Sequence, residues 1–237
     1  MKKTTLLFGF IFLSYITLNA QESKNKLQPI HLDKSVLSGV GLEKIDLKDE
    51  PEKDFYQKRL YWGKDLGVFV VGTETWNNKI KNYSFDEFIY MYHGEAMVKP
   101  QIGSSQVFYS GDYFFAPKGF KGEWEIRAGN YLHYELSVIT TKRADSSRVK
   151  ENPKHLLFSK SKLSGNNIRL DSNGNYEEIL QKGAELTVKL KGEAPSERTI
   201  NISDNEQLVQ ILSGLVKIRD SQGEEHQFYT GDFFYSS

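Results

Sequence analysis

The chain contains no cysteine. That excludes a disulfide framework, a thiol nucleophile and a thiolate metal site, so burial and hydrogen bonding alone must hold the fold. Charge bias is also absent, since 31 basic residues face 31 acidic ones. A balanced surface gives no electrostatic reason to bind nucleic acid or an anionic membrane. There is no Gly/Ser or Gln/Asn low-complexity tract. The most apolar run, Leu6–Leu18, has about 13 residues, short of the roughly 20 that a membrane-spanning helix needs. Several catalytic signatures are missing: the G-x-S-x-G elbow, a Gly-rich phosphate loop and the H-E-x-x-H zinc helix. The five histidines, His31, His93, His133, His155 and His226, form no H-x-H or H-x3-H pair.

The N-terminus "MKKTTLLFGFIFLSYITLNAQES" has two lysines, an apolar stretch and the small-residue sequence "LNA". This is the order of a secretory signal peptide, with cleavage expected after Ala20. No lipid-attachment cysteine follows. The mature chain then carries 29 basic and 31 acidic residues, a formal charge near −2. A periplasmic or secreted protein without a membrane span is expected. Residues 21–50 form an N-terminal extension with enough apolar side chains for an edge strand.

One unit is written twice. "FIYMYHGEAMVKPQIGSSQVFYSGDYFF" (88–115) matches "LVQILSGLVKIRDSQGEEHQFYTGDFFY" (208–235) without a gap. Gly94 pairs with Gly214, Gly111 with Gly231, Asp112 with Asp232 and Phe114 with Phe234, each 120 residues apart. A constant offset over this many positions points to duplication. Short β-branched and aromatic runs separated by turn signals make each unit all-β, a sandwich or barrel. The expected organisation is a first domain over 51–140, a polar linker over 141–160 and a partial second domain over 161–237. "NYEEILQKG" (175–183) reads as a short helix. Six residues follow Gly231, against the 29 that run from Gly111 to Thr140. The second unit therefore lacks the counterparts of the last two strands. The N-terminal extension, a partner chain or truncation of the gene could each account for this.

Two strings carry a family resemblance. Glu87-x6-Gly94 matches the end of the first cupin motif, Gly-x5-His-x-His-x3-4-Glu-x6-Gly. Gly111-x5-Pro117-x-Gly119 matches the start of the second, Gly-x5-Pro-x-Gly-x2-His-x3-Asn. The run "GDYFFAPKGFKGEWE" (111–125) most resembles the cupins that include ureidoglycine aminohydrolase and the ethanolamine-utilisation proteins. The resemblance implies a duplicated RmlC-like jelly-roll barrel, a bicupin, with the second barrel incomplete. Cupins also commonly dimerise through barrel faces, so it implies a homodimer.

Cupin enzymes hold a divalent metal with histidines and a carboxylate, and the resemblance places those ligands at defined positions. The first-motif histidines fall at Lys81 and Tyr83, or at Ile80 and Asn82 with the longer spacing; the second-motif histidine falls at Gly122. Only Glu87 remains, and one carboxylate does not hold a transition metal. In the second unit Gln207 stands at the Glu position, beside Glu206, and Asn201 and Ser203 stand at the histidine positions. No metal and no other cofactor is expected.

Strand parity points Glu87, Ile89 and Met91 inward on one strand and Gly122, Trp124 and Ile126 inward on another. The candidate ligand-binding residues are Trp76 in a loop at the mouth, Tyr83, Glu87, Met91 and Trp124. Such a lining suits a small sugar, amine or ureide. The alternative is that the same aromatics fill the barrel as core. A buried Glu87 needs a donor or a raised pKa, and Tyr83 is the nearest donor. His93 reads as a turn residue. His133 reads as outward, because Leu132, Tyr134 and Leu136 look like the inward face. The carboxylates Asp86–Glu87 and Glu177–Glu178 read as solvated or turn residues. Three functions stay open: metal-free small-molecule binding, a cupin enzyme of aminohydrolase or isomerase type, and a structural or assembly role.

Overall fold

The computed structural model describes residues 30–47, 51–142, 149–150, 153–197, 206–220 and 222–236. The expected signal peptide lies outside them, as do Asn201 and Ser203. No described helix is long and apolar enough to cross a membrane.

The fold is all-β. Ahead of the first unit come β1 (Ile30–His31), a one-turn helix α1 (Lys34–Leu37) and β2 (Glu43–Lys44). The first unit continues with β3 (Phe55–Trp62), β4 (Leu66–Thr73), β5 (Trp76–Ile80), β6 (Glu87–His93) and β7 (Glu95–Pro100). It ends with β8 (Gln106–Tyr109), β9 (Tyr113–Ala116), β10 (Gly122–Arg127) and β11 (His133–Thr140). Next come β12 (Leu156–Leu157) and α2 (Lys160–Leu163). The second unit holds β13 (Asn175–Lys182), β14 (Thr187–Glu193), β15 (Gln207–Gln210), β16 (Leu215–Arg219), β17 (Glu225–Tyr229) and β18 (Phe233–Ser236). Trp76, expected in a loop, opens strand β5.

The first unit is a sandwich of two sheets. One has the order β5-β10-β7-β8 and the other β12-β9-β6-β11-β4-β3-β2. Between them lie Ile89, Met91, Ala96, Val98, Phe108, Phe114, Phe120, Trp124 and Ile126. The outer face of the larger sheet is buried as well. Val68, Val70, Leu136 and Val138 pack there with Leu32, Leu37 and Phe233. A sheet covered on both faces loses the simple alternation of apolar and polar residues. That is why His133 is not outward: its side chain is buried, at 1% exposure, on the face opposite Leu136.

Structure repeats where sequence repeats. Strand β13 stands 120 residues after β3, and β18 stands 120 after β9. This corrects the helix expected at 175–183. Its Glu, Leu, Gln and Lys favour a helix weakly, but pairing with β14 wins, and Glu177 forms cross-strand ion pairs with Lys189 and Lys191. The Gly-Asp turns match in detail. Gly111 and Gly231 both have positive φ, +83° and +90°. Their N–H groups donate to Met91 O and Ile211 O at 2.7 Å in each case. Asp112 and Asp232 each accept the N–H of the residue three places back, Tyr109 and Tyr229, at 2.8 Å.

The units also exchange straps. Strand β12 lies on β9 of the first unit, with Leu156 opposite Phe115 and Leu157 opposite Phe114. Strand β1 lies on β18 of the second, with Ile30 opposite Tyr235 and His31 opposite Phe234. Lys160 then pairs with Asp112 (2.8 Å), and Lys34 with Asp232 (2.5 Å). The straps "KSVLSG" (34–39) and "KSKLSG" (160–165) are themselves repeats, offset by 126. Each unit is thus preceded by the strap that covers the other. The N-terminal extension does supply an edge strand, but in the strap position. It lies on β18 as β12 lies on β9, not at a position corresponding to β10 or β11.

Two carboxylates clamp the units reciprocally. Buried Asp86 accepts the N–H of Lys118 (2.9 Å) and, from the second unit, those of Glu185 (2.6 Å) and Leu186 (3.1 Å). Glu206, 120 residues later, accepts from Lys64, Asp65 and Leu66 of the first unit at 2.6, 2.7 and 2.8 Å. Asp86 and its neighbour Glu87 are therefore not solvated turn residues.

A candidate binding site inside the first unit

Three strands and one loop aim polar groups into the first unit's interior. On β6, Glu87, Ile89 and Met91 face inward and are buried, Glu87 at 5% exposure. On the neighbouring β11 the inward positions are His133, Glu135 and Ser137, all buried. Tyr83 comes from the loop before β6 and packs on the core, stacked against Trp124 of β10 with ring centroids 5.5 Å apart.

These groups form two linked sets. The Tyr83 hydroxyl donates to one oxygen of Glu87 and the Ser137 hydroxyl to the other. Burial, followed by the nearby Glu135 carboxylate, pushes the Glu87 carboxyl up to about 8, against a partial downward pull from its two hydroxyl partners. The Tyr83 phenol is pushed well above its ordinary range, first by burial and then by Glu87. Beside them, His133 Nε2 and Glu135 Oε2 lie 2.9 Å apart.

His155 arrives from outside the unit, just ahead of β12. It lies within the stretch expected as linker, yet is only 4% exposed. Its ring stands edge-on to Phe120 (4.5 Å) and Trp124 (5.2 Å) and near Phe108 and Phe114. Burial alone pulls it down to about 3, so the imidazole is neutral. Several buried polar atoms here have no hydrogen-bond partner: both nitrogens of His155, Trp124 Nε1, His133 Nδ1 and Thr73 Oγ1. Buried polar groups are paired in the great majority of cases, so a cluster of orphans marks a place for a bound molecule or water.

The donor set does not fit a cupin metal. A β-carbon at Gly122 would lie 2.2 Å from the Lys99 carbonyl oxygen and 2.7 Å from the Phe120 ring, so the second-motif position has no room for an imidazole. Glu87, Glu135 and His133 do not converge on a point. Among the described residues only Asp220, Glu224 and His226 bring three ligand atoms together, at the β16–β17 turn. Asp220 already accepts the N–H groups of Gln222 (2.8 Å) and Glu224 (3.0 Å) there, and its other oxygen lies 3.3 Å from His226. The cluster is a hairpin turn.

The five residues expected from sequence share one neighbourhood. Tyr83 touches Glu87 and Trp124, Met91 lies in the same core, and half-buried Trp76 packs against it. Glu135, Ser137 and His155 were not expected. The odd positions of "HYELSVI" (133–139) carry His, Glu and Ser, and that parity was the available signal. His155 had none, since its placement depends on the strap crossing between units. An open cleft of about 590 Å³ also lies over Gly122, walled by Lys79, Lys81, Lys99 and Lys121. It is outside this interior, and Lys99 there is paired with Glu125 at 2.6 Å.

Comparison with known proteins agrees with the fold. The family model described as EutQ-like cupin domain matches residues 68–134. A protein of unknown function of the DUF861 family from Pseudomonas syringae pv. tomato str. DC3000 superposes with a TM-score of 0.62. It is 14% identical, with 89% of this chain and 92% of that one covered. The putative glyoxylate-induced protein of Pseudomonas aeruginosa gives 0.55 at 13% identity, over 87% and 79% of the two chains. A cupin 2 conserved barrel domain protein from Leptotrichia buccalis gives 0.50 at 11%, over 77% and 78%. No curated protein sequence matches this chain.

Proposed function

Starting from a chain whose residues 68–134 match the family model of an EutQ-like cupin domain, we propose that the interior of the first unit binds a small polar molecule of the sugar, amine or ureide kind, without a metal. One observation carries the reading. A buried carboxyl, Glu87, is held by Tyr83 and Ser137 among apolar walls, and Tyr83 stacks on Trp124, whose Nε1 and neighbour His155 have no hydrogen-bond partner. Apolar walls with a few convergent polar groups are the usual build of a small-molecule site. The reading is tested by a thermal-shift screen of monosaccharides, amines and ureides on EDTA-treated protein. At least one should raise the melting temperature, and Glu87→Gln and Trp124→Phe should abolish that rise. Silence across the whole screen would mean that the aromatics only fill the core. Elemental analysis should find no stoichiometric Mn, Fe, Ni or Zn, and one metal per chain would contradict the account.

The second unit supports a second reading, assembly as a homodimer. Ile179 on β13 and Leu215 and Val216 on β16 are exposed, and exposed apolar side chains on strands favour burial against another chain. Sedimentation equilibrium should give a dimer, and a stable monomer removes this reading.

A further inference from the structure

We propose that His155, carried into the first unit by the second unit's strap, contacts the ligand there, and that together with Trp124 it selects an uncharged molecule bearing both a hydrogen-bond donor and an acceptor. The inference rests on the interior-binding reading above and narrows it. Three observations support it.

The first is a set of three orphaned nitrogens. His155 and Trp124 stand with ring centroids 5.2 Å apart, and His155 Nδ1, His155 Nε2 and Trp124 Nε1 all lack partners. A neutral imidazole offers one donor and one acceptor, and an indole offers one donor. The complement is a molecule with an acceptor for the N–H groups and a donor for the bare imidazole nitrogen. A residue kept only for packing would do better as phenylalanine, which leaves nothing unpaired.

The second is the internal comparison between straps. The frame around His155 occurs twice: the Lys–Asp pair, the two-residue ladder and the backbone bond that follows it, Phe158 N–H to Tyr113 O (2.9 Å) in one and Leu32 N–H to Phe233 O (3.0 Å) in the other. The two straps differ in how they hold a histidine. On the first, His31 lies 5.8 Å from Phe228, the counterpart of Phe108, but its side chain is half exposed and stands 3.7 Å from Asp232. At the offset of 126 from His155 the sequence has Pro29. Of the two strap histidines only His155 is buried with both ring nitrogens unpartnered.

The third is the charge of the surroundings. Burial is the sole cause of the downward shift at His155, so no charged group acts on the imidazole, and its ring neighbours are Phe108, Phe114, Phe120 and Trp124. Farther in, Glu87 keeps its proton to about pH 8, and Glu135 Oε2 is held 2.9 Å from His133 Nε2. An ion entering beside His155 loses its hydration and meets no counter-charge at that ring, which disfavours it over a neutral molecule.

The test uses the full chain with [15N]histidine and [15N]tryptophan labels, EDTA-treated, titrated with three probes of similar size: neutral acetamide, anionic acetate and cationic ethylammonium. Acetamide should move the His155 and Trp124 ring-nitrogen resonances saturably, while the two ions leave them in place. His155→Phe should weaken acetamide binding about tenfold or more without lowering the melting temperature. His155→Gln, which keeps a donor and an acceptor, should retain it within a few-fold. Unchanged acetamide binding in His155→Phe, or ions binding as tightly as acetamide, would overturn the inference and leave the interior-binding reading standing. If none of the probes moves the wild-type resonances, the inference falls, and the thermal-shift screen alone decides the interior-binding reading.

Discussion

Stability between pH 4.5 and 8 should depend on two buried groups that act in opposite directions. A free glutamate ionises near 4.5, whereas Glu87 holds its proton to about 8. Across that window the folded state binds one proton more than the unfolded state, so each rising pH unit costs about 1.4 kcal/mol. His155 does the reverse. The unfolded imidazole takes up a proton below 6.5, while the folded one stays neutral down to about 3. Its contribution therefore grows as pH climbs from 3 to 6.5, with the same slope. Between 4.5 and 6.5 the two slopes cancel. Above 6.5 only Glu87 acts, and the wild type should lose about 2 kcal/mol by pH 8. Glu87→Gln should abolish that loss and uncover the rising slope of His155 below 6.5. His155→Phe should uncover the falling slope of Glu87 over the whole window, about 5 kcal/mol in total. Urea-unfolding midpoints at half-unit pH steps, converted with the denaturant slope, give each curve. A wild type whose stability holds or rises from 6.5 to 8 would refute the reasoning. So would a His155→Phe curve that stays flat below 6.5.

Three more outcomes are expected. Gly94 and Gly214 have the same left-handed φ, +91° and +88°, but a β-carbon at Gly94 meets His133 Nδ1 at 2.9 Å while nothing lies within 4 Å at Gly214. Alanine should cost about 1–2 kcal/mol at 214 from backbone strain alone and measurably more at 94; equal melting temperatures for the two variants would contradict the placement of His133. Asp86→Ala leaves three backbone N–H groups without their acceptor and should cost about 3–4 kcal/mol in urea denaturation, and a loss below about 1 kcal/mol would deny the clamp. Expressed with its own N-terminus in a bacterium that exports proteins, the purified chain should begin at Gln21 on N-terminal sequencing, and a chain that retains Met1 would refute the expected signal peptide.

The repeat and the fold class were legible because glycines in turns and aromatics in strands recur at one spacing, and each turn needs that glycine for its positive φ. Glu87 and Trp124 were legible because parity along a strand fixes which side chains share a face, and Tyr83 because it stands where the resemblance puts a first-motif histidine. Parity failed on β11, where Leu136 and His133 are both buried because each face of the sheet has a cover. It failed at 175–182 because helical propensity spans only tenths of a kcal/mol per residue, while the neighbouring strand supplies a full ladder. The straps repeat at 126 rather than 120, so a search at a single offset passes over "KSVLSG" and "KSKLSG". Missing them hid the exchange and, with it, the route that brings His155 into the first unit.

The central claim is that the first unit's interior binds a small polar molecule with its own side chains and no metal. The most direct measurement is a calorimetric titration of the best ligand from the thermal-shift screen into protein stripped with EDTA, repeated with added Mn, Ni or Zn. The account predicts one site per chain with the same Kd in every arm. Binding that vanishes on stripping and returns with a divalent metal would contradict it.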